Sequence, residues 1–264
     1  MLIIAERINS SRKSIAEAIK ERNSEFIQDE ALSQAAAGAH YIDVNAGSML
    51  GQETKCLGWL VDVVQEVVDV PLALDSPDAE AILECFPRTR KTPMINSISL
   101  EPSRLERLLP LIVEQRTKVV ALCQSPELVA ETAGDKVRLA ERLVEKATAA
   151  GVPLDDLYID PLVYPIAANP ASALHTLLAI ERIMRLFPGV HTVCGLTNVS
   201  YGLPHRKLVN RSFLIACISR GLDAAIIDPT DNQLYGALKA ATMIMGNDEF
   251  CMNFIAAHRQ GRLE

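Results

Sequence analysis

The chain has 264 residues, 49% of them hydrophobic and only 5% aromatic, and carries a formal net charge of −7. That length fits one α/β barrel, and a core rich in aliphatic side chains fits a parallel sheet buried on both faces; disorder and a small disulfide scaffold are excluded. The acidic balance, with no Lys/Arg run longer than two, leaves no electrostatic footprint for nucleic acid and points to a small ligand or a protein partner.

In chain order, short apolar runs alternate with longer amphipathic stretches. The opening MLIIA meets charge at Glu6, too early for a signal or membrane segment, so the protein is expected to stay in the cytoplasm. A first strand, Leu2–Ile8, ends in Glu6-Arg7-Ile8-Asn9, and Gly38 closes the alanine-rich helix after it. Next come strands Tyr41–Ala46 (with Asp43 and Asn45), Leu72–Asp75 and Met94–Ile98 (with Asn96-Ser97). Leu105, Leu108, Leu109 and Ile112 form a helical stripe that Pro110 is expected to kink or split. A fifth strand, Val119–Gln124, and a helical stretch closed by Gly151 lead to a sixth, Leu157–Pro161. Asn169-Pro170 reads as an N-cap and first-turn proline opening a helix toward Phe187. Thr192–Asn198 and Ala224–Asp228 complete eight units.

Eight β/α units with right-handed crossovers predict a closed (β/α)₈ TIM barrel, a single domain over residues 1–264. The alternative, an open doubly wound sheet, lacks its phosphate-binding signatures here, since neither G-x-G-x-x-G nor G-x-x-x-x-G-K-[ST] occurs. No linker, repeat or low-complexity tract divides the chain. Cys56, Cys85, Cys123, Cys194, Cys217 and Cys251 form no C-x-x-C pair and read as reduced, mostly buried thiols.

In a barrel the active site lies at the carboxyl ends of the strands, and here all eight close on polar residues. A single Asp or Asn at such a place is ordinary turn chemistry. The full set marks a ligand mouth: Glu6, Asn9, Asp43, Asn45, Asp75, Asn96, Gln124, Asp160, Asn198 and Asp228. Carboxylates and carboxamides suit a neutral heterocycle that offers N–H donors and carbonyl acceptors. A metal cage of Asp43, Asp75, Asp160 and Asp228 competes with this. It ranks lower because no His stands at ligand spacing and an all-oxygen Mg²⁺ site usually relies on substrate phosphates, so no tightly bound metal is expected.

The ordered motifs ERIN (Glu6–Asn9), DVNAG (Asp43–Gly47), LDS (Leu74–Ser76), INS (Ile95–Ser97), YIDP (Tyr158–Pro161) and GLTNVSYGLPHR (Gly195–Arg206), followed by Asn210-Arg211, span nearly the whole chain. In that order they resemble the pterin-binding methyltransferases, a family that includes methyltetrahydrofolate:corrinoid protein methyltransferases and the folate domain of cobalamin-dependent methionine synthase. The resemblance implies that Asp75, Asn96 and Asp160 hydrogen-bond a pterin ring. It also implies that Asn198 stands near the methyl-bearing N5 and donates a hydrogen bond that strengthens in the transition state. The implied reaction moves a methyl group between N5 of tetrahydrofolate and cobalamin on a separate corrinoid protein, in a direction left open. No D-x-H-x-x-G cobalamin motif and no zinc-thiolate set for homocysteine occur in the chain. Arg206 and Arg211, read as sharing the seventh loop, are candidates for the folate tail, whereas His205 reads as an exposed loop residue. A homodimer is implied as well. Two other readings stay open: dihydropteroate synthase, which should show a glycine-containing loop and a lysine where this chain reads LVYPIAANP after Asp160-Pro161, and a non-catalytic folate-binding protein.

Overall fold

Eight strands alternate with helices along residues 1–263, the part of the chain described by a computed structural model. The strands are β1 (Leu2–Asn9), β2 (Tyr41–Asn45), β3 (Leu72–Asp75), β4 (Met94–Ile98), β5 (Val119–Leu122), β6 (Leu157–Asp160), β7 (His191–Thr192) and β8 (Ala224–Ile227). Among the described residues ten α-helices surround them: α1 (Lys13–Glu21), α2 (Ser24–Ala36), α3 (Glu53–Gln65), α4 (Ala79–Cys85), α5 (Pro102–Gln115), α6 (Ala133–Ala150), α7 (Ser172–Leu186), α8 (Arg206–Ser219), α9 (Asn232–Ile244) and α10 (Met252–Arg259). Each strand from β1 to β6 pairs in parallel with its successor, and β1 also pairs with β8. Between β7 and β8 there is no ladder. One bridge, Gly195 to Ile226, closes the barrel, with Ile226 N–H donating to the Cys194 carbonyl at 3.0 Å.

The two-residue period of a strand explains both the core and the mouth. Outward residues such as Leu72, Leu74, Leu157 and Ile159 pack under the helices. Inward residues Ile4, Ala73, Met94, Val120, Tyr158, Val193 and Ala224 fill the barrel as one apolar layer. Two residues further along the same strands, the inward positions become Glu6, Asp75, Asn96 and Asp160, and on β2 Tyr41 gives way to Asp43. A polar layer thus stands directly on the apolar one, toward the carboxyl ends.

Four expectations need correction. The seventh strand ends at Thr192, because the chain turns at Gly195 and Leu196–Ser200 form a 3₁₀ turn. Helix α7 begins at Ser172, since the Asn169 side chain accepts from Ala171 N–H at 3.0 Å and closes a separate turn before it. Helix α5 runs unbroken through Pro110, whose exposed ring deprives only the exposed Glu106 carbonyl of its helical donor. Arg206 and Arg211 belong to α8 and not to a loop. All six cysteines are free, and Cys123 and Cys194 lie in the core. Among the described residues no helix is long and apolar enough to cross a membrane.

Candidate active site

The polar layer is built by register. Asn45 pairs with Asp75 across β2 and β3, and Asp75 with Asn96 across β3 and β4, so three of the predicted residues are lateral neighbours on adjacent strands. Asn96 Nδ2 donates to Asp43 Oδ1 at 3.1 Å. Beyond β5, Asp160 accepts from Leu162 N–H at 2.7 Å through Oδ1. A bulge in β1 between Ala5 and Ile8 separates two charges: Glu6 accepts from Thr197 Oγ1 at 3.4 Å, while Arg7 turns aside to Glu30.

Burial sets the protonation of these groups. It pushes Glu6 up to about 7, helped by the nearby charge of Asp228. Burial raises Asp75 and Asp160 each to about 6, against the pull of Asn45 and Arg104 on the first and of the Leu162 and Gly195 amides on the second. Asp43, 2% exposed and facing Asp75, is held well above the carboxylate range by burial and by that neighbouring charge. At neutral pH the mouth therefore offers Asp75 and Asp160 as acceptors, and of the carboxyls facing them Asp43 is one that burial and the Asp75 charge push toward the acid form.

A raised carboxyl adds stability below its unfolded pKa of about 3.9 and loses it as pH rises through the folded value. Asp43→Asn, which keeps the shape without the acid, should therefore gain on the wild type between about pH 5 and about pH 8, ending with a Tm some 2–4 °C higher for each kcal/mol of relief. Calorimetry at both pH values checks this. An unchanged gap would mean that Asp43 is ionised in the folded protein.

Several predicted mouth residues are committed elsewhere. Asn9 Oδ1 accepts from Ser11 N–H at 2.9 Å and closes a turn. Asp228 binds Arg7 at 2.9 Å and Thr230 Oγ1 at 2.6 Å, and despite its burial these donors hold it below the usual carboxylate value. Gln124 is exposed and donates to Glu101 at 3.0 Å. Arg206 donates to Ser200 Oγ at 3.0 Å and the Thr197 carbonyl at 2.9 Å, bracing the turn that carries Asn198. Arg211 reaches Gln233 at 2.6 Å. Asn198 is exposed, and among the described residues its carboxamide has no hydrogen-bond partner. Among those residues no group of three or more His, Cys, Asp or Glu is arranged to hold a metal ion.

A cleft of about 300 Å³ opens over β3 to β5, lined by Asp75, Ser97, Ser99, Arg104 and Gln124. A larger one of about 780 Å³ lies outside, between α3 and α4, and its exposed Arg22, Lys55, Glu84 and Arg88 offer no converging buried polar groups. The smaller cleft is the chemically equipped one.

Arg104 escaped the sequence reading. From the first turn of α5, 7% exposed, it donates to the carbonyls of Ser76 (2.6 Å), Pro77 (2.5 Å) and Ser97 (2.5 Å), the residues just after Asp75 and Asn96. Arg104→Met should lower the unfolding free energy by about 3 kcal/mol, because three carbonyls lose a charged donor. Urea denaturation reads this directly, and a loss below about 1 kcal/mol would show water replacing the guanidinium.

Comparisons with known proteins give the family and the fold. Residues 5–228 match the family model described as pterin binding enzyme. Over 265 aligned residues, covering 100% of this chain and 98% of the other, it is 37% identical to a methylcorrinoid:tetrahydrofolate methyltransferase of Eubacterium limosum. It is 30% identical over 240 residues to a methionine synthase of Mycobacterium tuberculosis, covering 86% of this chain but only 20% of that one. Among solved structures, dihydropteroate synthase of Xanthomonas albilineans superposes with a TM-score of 0.70 over 93% of this chain and 92% of the other, at 16% identity, a likeness of fold alone.

Proposed function

From the premise that the chain belongs to the family of pterin-binding enzymes, we propose that it is a methyltransferase acting between a methylated corrinoid carried on a separate protein and N5 of tetrahydrofolate. One observation carries the reading: Asp75, Asn96 and Asp160 share the inward polar layer on β3, β4 and β6, and Asn198, in the 3₁₀ turn after β7, has an exposed carboxamide without a hydrogen-bond partner among the described residues. An ionised aspartate accepts the parallel donors of a pterin, its 2-amino group and N3–H, and Asn96 both donates and accepts. Glu6, Asp43 and Asn45 complete the wall around the ring.

The direction proposed is that named for the full-length relative, from methylcorrinoid to tetrahydrofolate. N5 forms the new bond to the methyl carbon, the cobalt–carbon bond breaks with both electrons staying on cobalt, and N5 gives up its proton to solvent. The Asn198 carboxamide holds N5 by a hydrogen bond through that change; in reverse, the same bond eases departure of a poor amine leaving group. The enzyme is proposed as a cytoplasmic homodimer of one barrel domain per chain.

Mixing the protein with tetrahydrofolate and methylcobalamin should yield methyltetrahydrofolate and cob(I)alamin. Folate binding without transfer in either direction would leave a binding protein, and a condensed pterin product would return the reading to dihydropteroate synthase. Treatment with EDTA should leave folate affinity unchanged, whereas loss restored by Mg²⁺ would revive the aspartate cage.

A further inference from the structure

Lys136, in the first turn of α6, is among the largest side chains with no solvent exposure (0%). Its Nζ donates to the carbonyls of Pro161 at 2.8 Å and Leu162 at 2.6 Å, and lies 5.0 Å from the Tyr164 ring centroid. An ammonium is costly in this place. Burial pulls it down to about 8, and the positive pole at the start of α6 opposes a cation. Lys136 also shares the apolar stripe of Leu139, Ala140, Leu143 and Ala147, where a cation is tolerated only because both carbonyls accept from it.

What the cation holds is a strained turn. Leu162 sits at φ 60, in the left-handed region that a leucine rarely adopts, and that conformation aims its N–H at Asp160 Oδ1. We propose that Lys136 is a positioning residue for the pterin site: by gripping the carbonyls of Pro161 and Leu162 it fixes the turn that locks the Asp160 carboxylate, and it places a positive charge beneath that carboxylate. The ligand's identity rests on the methyltransferase reading; the action on Asp160 does not.

Titratable groups around Asp160 and Lys136 include two thiols, Cys123 beyond β5 and Cys194 beyond β7, and the Tyr164 phenol, which burial raises above its ordinary value. Burial raises the first thiol, and Cys217 together with burial raises the second, so both thiols stay neutral across the relevant range. Asp135, on the same helix turn, faces its capping partners Thr132 and Arg138.

The test follows the Asp160 carboxyl carbon by NMR across pH in ligand-free wild-type, Lys136→Met and Lys136→Arg proteins. Methionine should move the Asp160 midpoint upward by about one pH unit, and arginine should restore most of it. The pH at which methyltetrahydrofolate affinity fails on acidification should move by the same amount. A folded Lys136→Met protein with an unmoved midpoint overturns the proposal. If the methionine variant does not fold, the ¹⁵Nζ resonance of Lys136 in the wild type decides: it should shift with the Asp160 midpoint, and a flat response overturns the proposal. Because the carboxyl titration uses no folate, a wild type that does not bind methyltetrahydrofolate sinks the functional reading alone.

Discussion

Asn198→Ala should slow methyl transfer about 100-fold while folate affinity falls far less. The turn that presents Asn198 does not depend on its side chain. Its N–H reaches the Gly195 carbonyl at 3.3 Å, its own carbonyl accepts from Tyr201 N–H at 3.1 Å, and Arg206 braces Thr197 beside it. With the carboxamide exposed and, among the described residues, unpartnered, truncation should remove little that the fold uses. A hydrogen bond to N5 that gains strength as the carbon–nitrogen bond forms or breaks lowers the barrier without deepening the ground state. Single-turnover transfer rates, set beside the dissociation constant of the same variant, separate the two effects. A rate within about threefold of wild type would place the N5 interaction on another group, and matched losses would make Asn198 a residue that holds folate and no more.

Asp75→Ala and Asp160→Ala should each weaken folate binding by about 1–3 kcal/mol, roughly 5- to 150-fold, because a pair of ligand donors would be left buried without an acceptor. The two variants should differ in stability. Asp160 also accepts from Leu162 N–H, so its loss strands a protein donor and costs about 1–2 kcal/mol of folding free energy. Asp75 is held by the side chains of Asn45 and Asp43 and not by a backbone N–H, so its removal should cost less. Titration calorimetry and urea denaturation on both variants test the pattern. Unchanged affinity in both would take these carboxylates out of the pocket.

The barrel was legible because strands and helices alternate so regularly, and the polar layer of Asp75, Asn96 and Asp160 was legible because these residues stand at or near the ends of β3, β4 and β6. The rest was hidden for identifiable reasons. Thr192-Val193-Cys194 has strand composition, yet only His191 and Thr192 form the ladder; Gly195 marked the turn, and the apolar residues on both sides of it masked the signal. Asn9 and Asp228 look like Asp75 in sequence, and only the folded partners show that a turn and an arginine occupy them. Arg104 and Lys136 were passed over because long basic side chains on amphipathic helices usually reach water. A signal existed: Lys136 stands three and four residues before Leu139 and Ala140, and Arg104 four before Leu108, squarely on the buried stripes.

The stacking of a polar layer on an apolar one divides the inner face of the barrel into a part that packs the core and a part whose polar groups are open to a ligand. Replacing Asp75 or Asn96 leaves Ala73 and Met94 where they are, so new ligands can be acquired without rebuilding the plug beneath. Such a frame can host different reactions, because the residues that set the chemistry are not the ones that hold the barrel together.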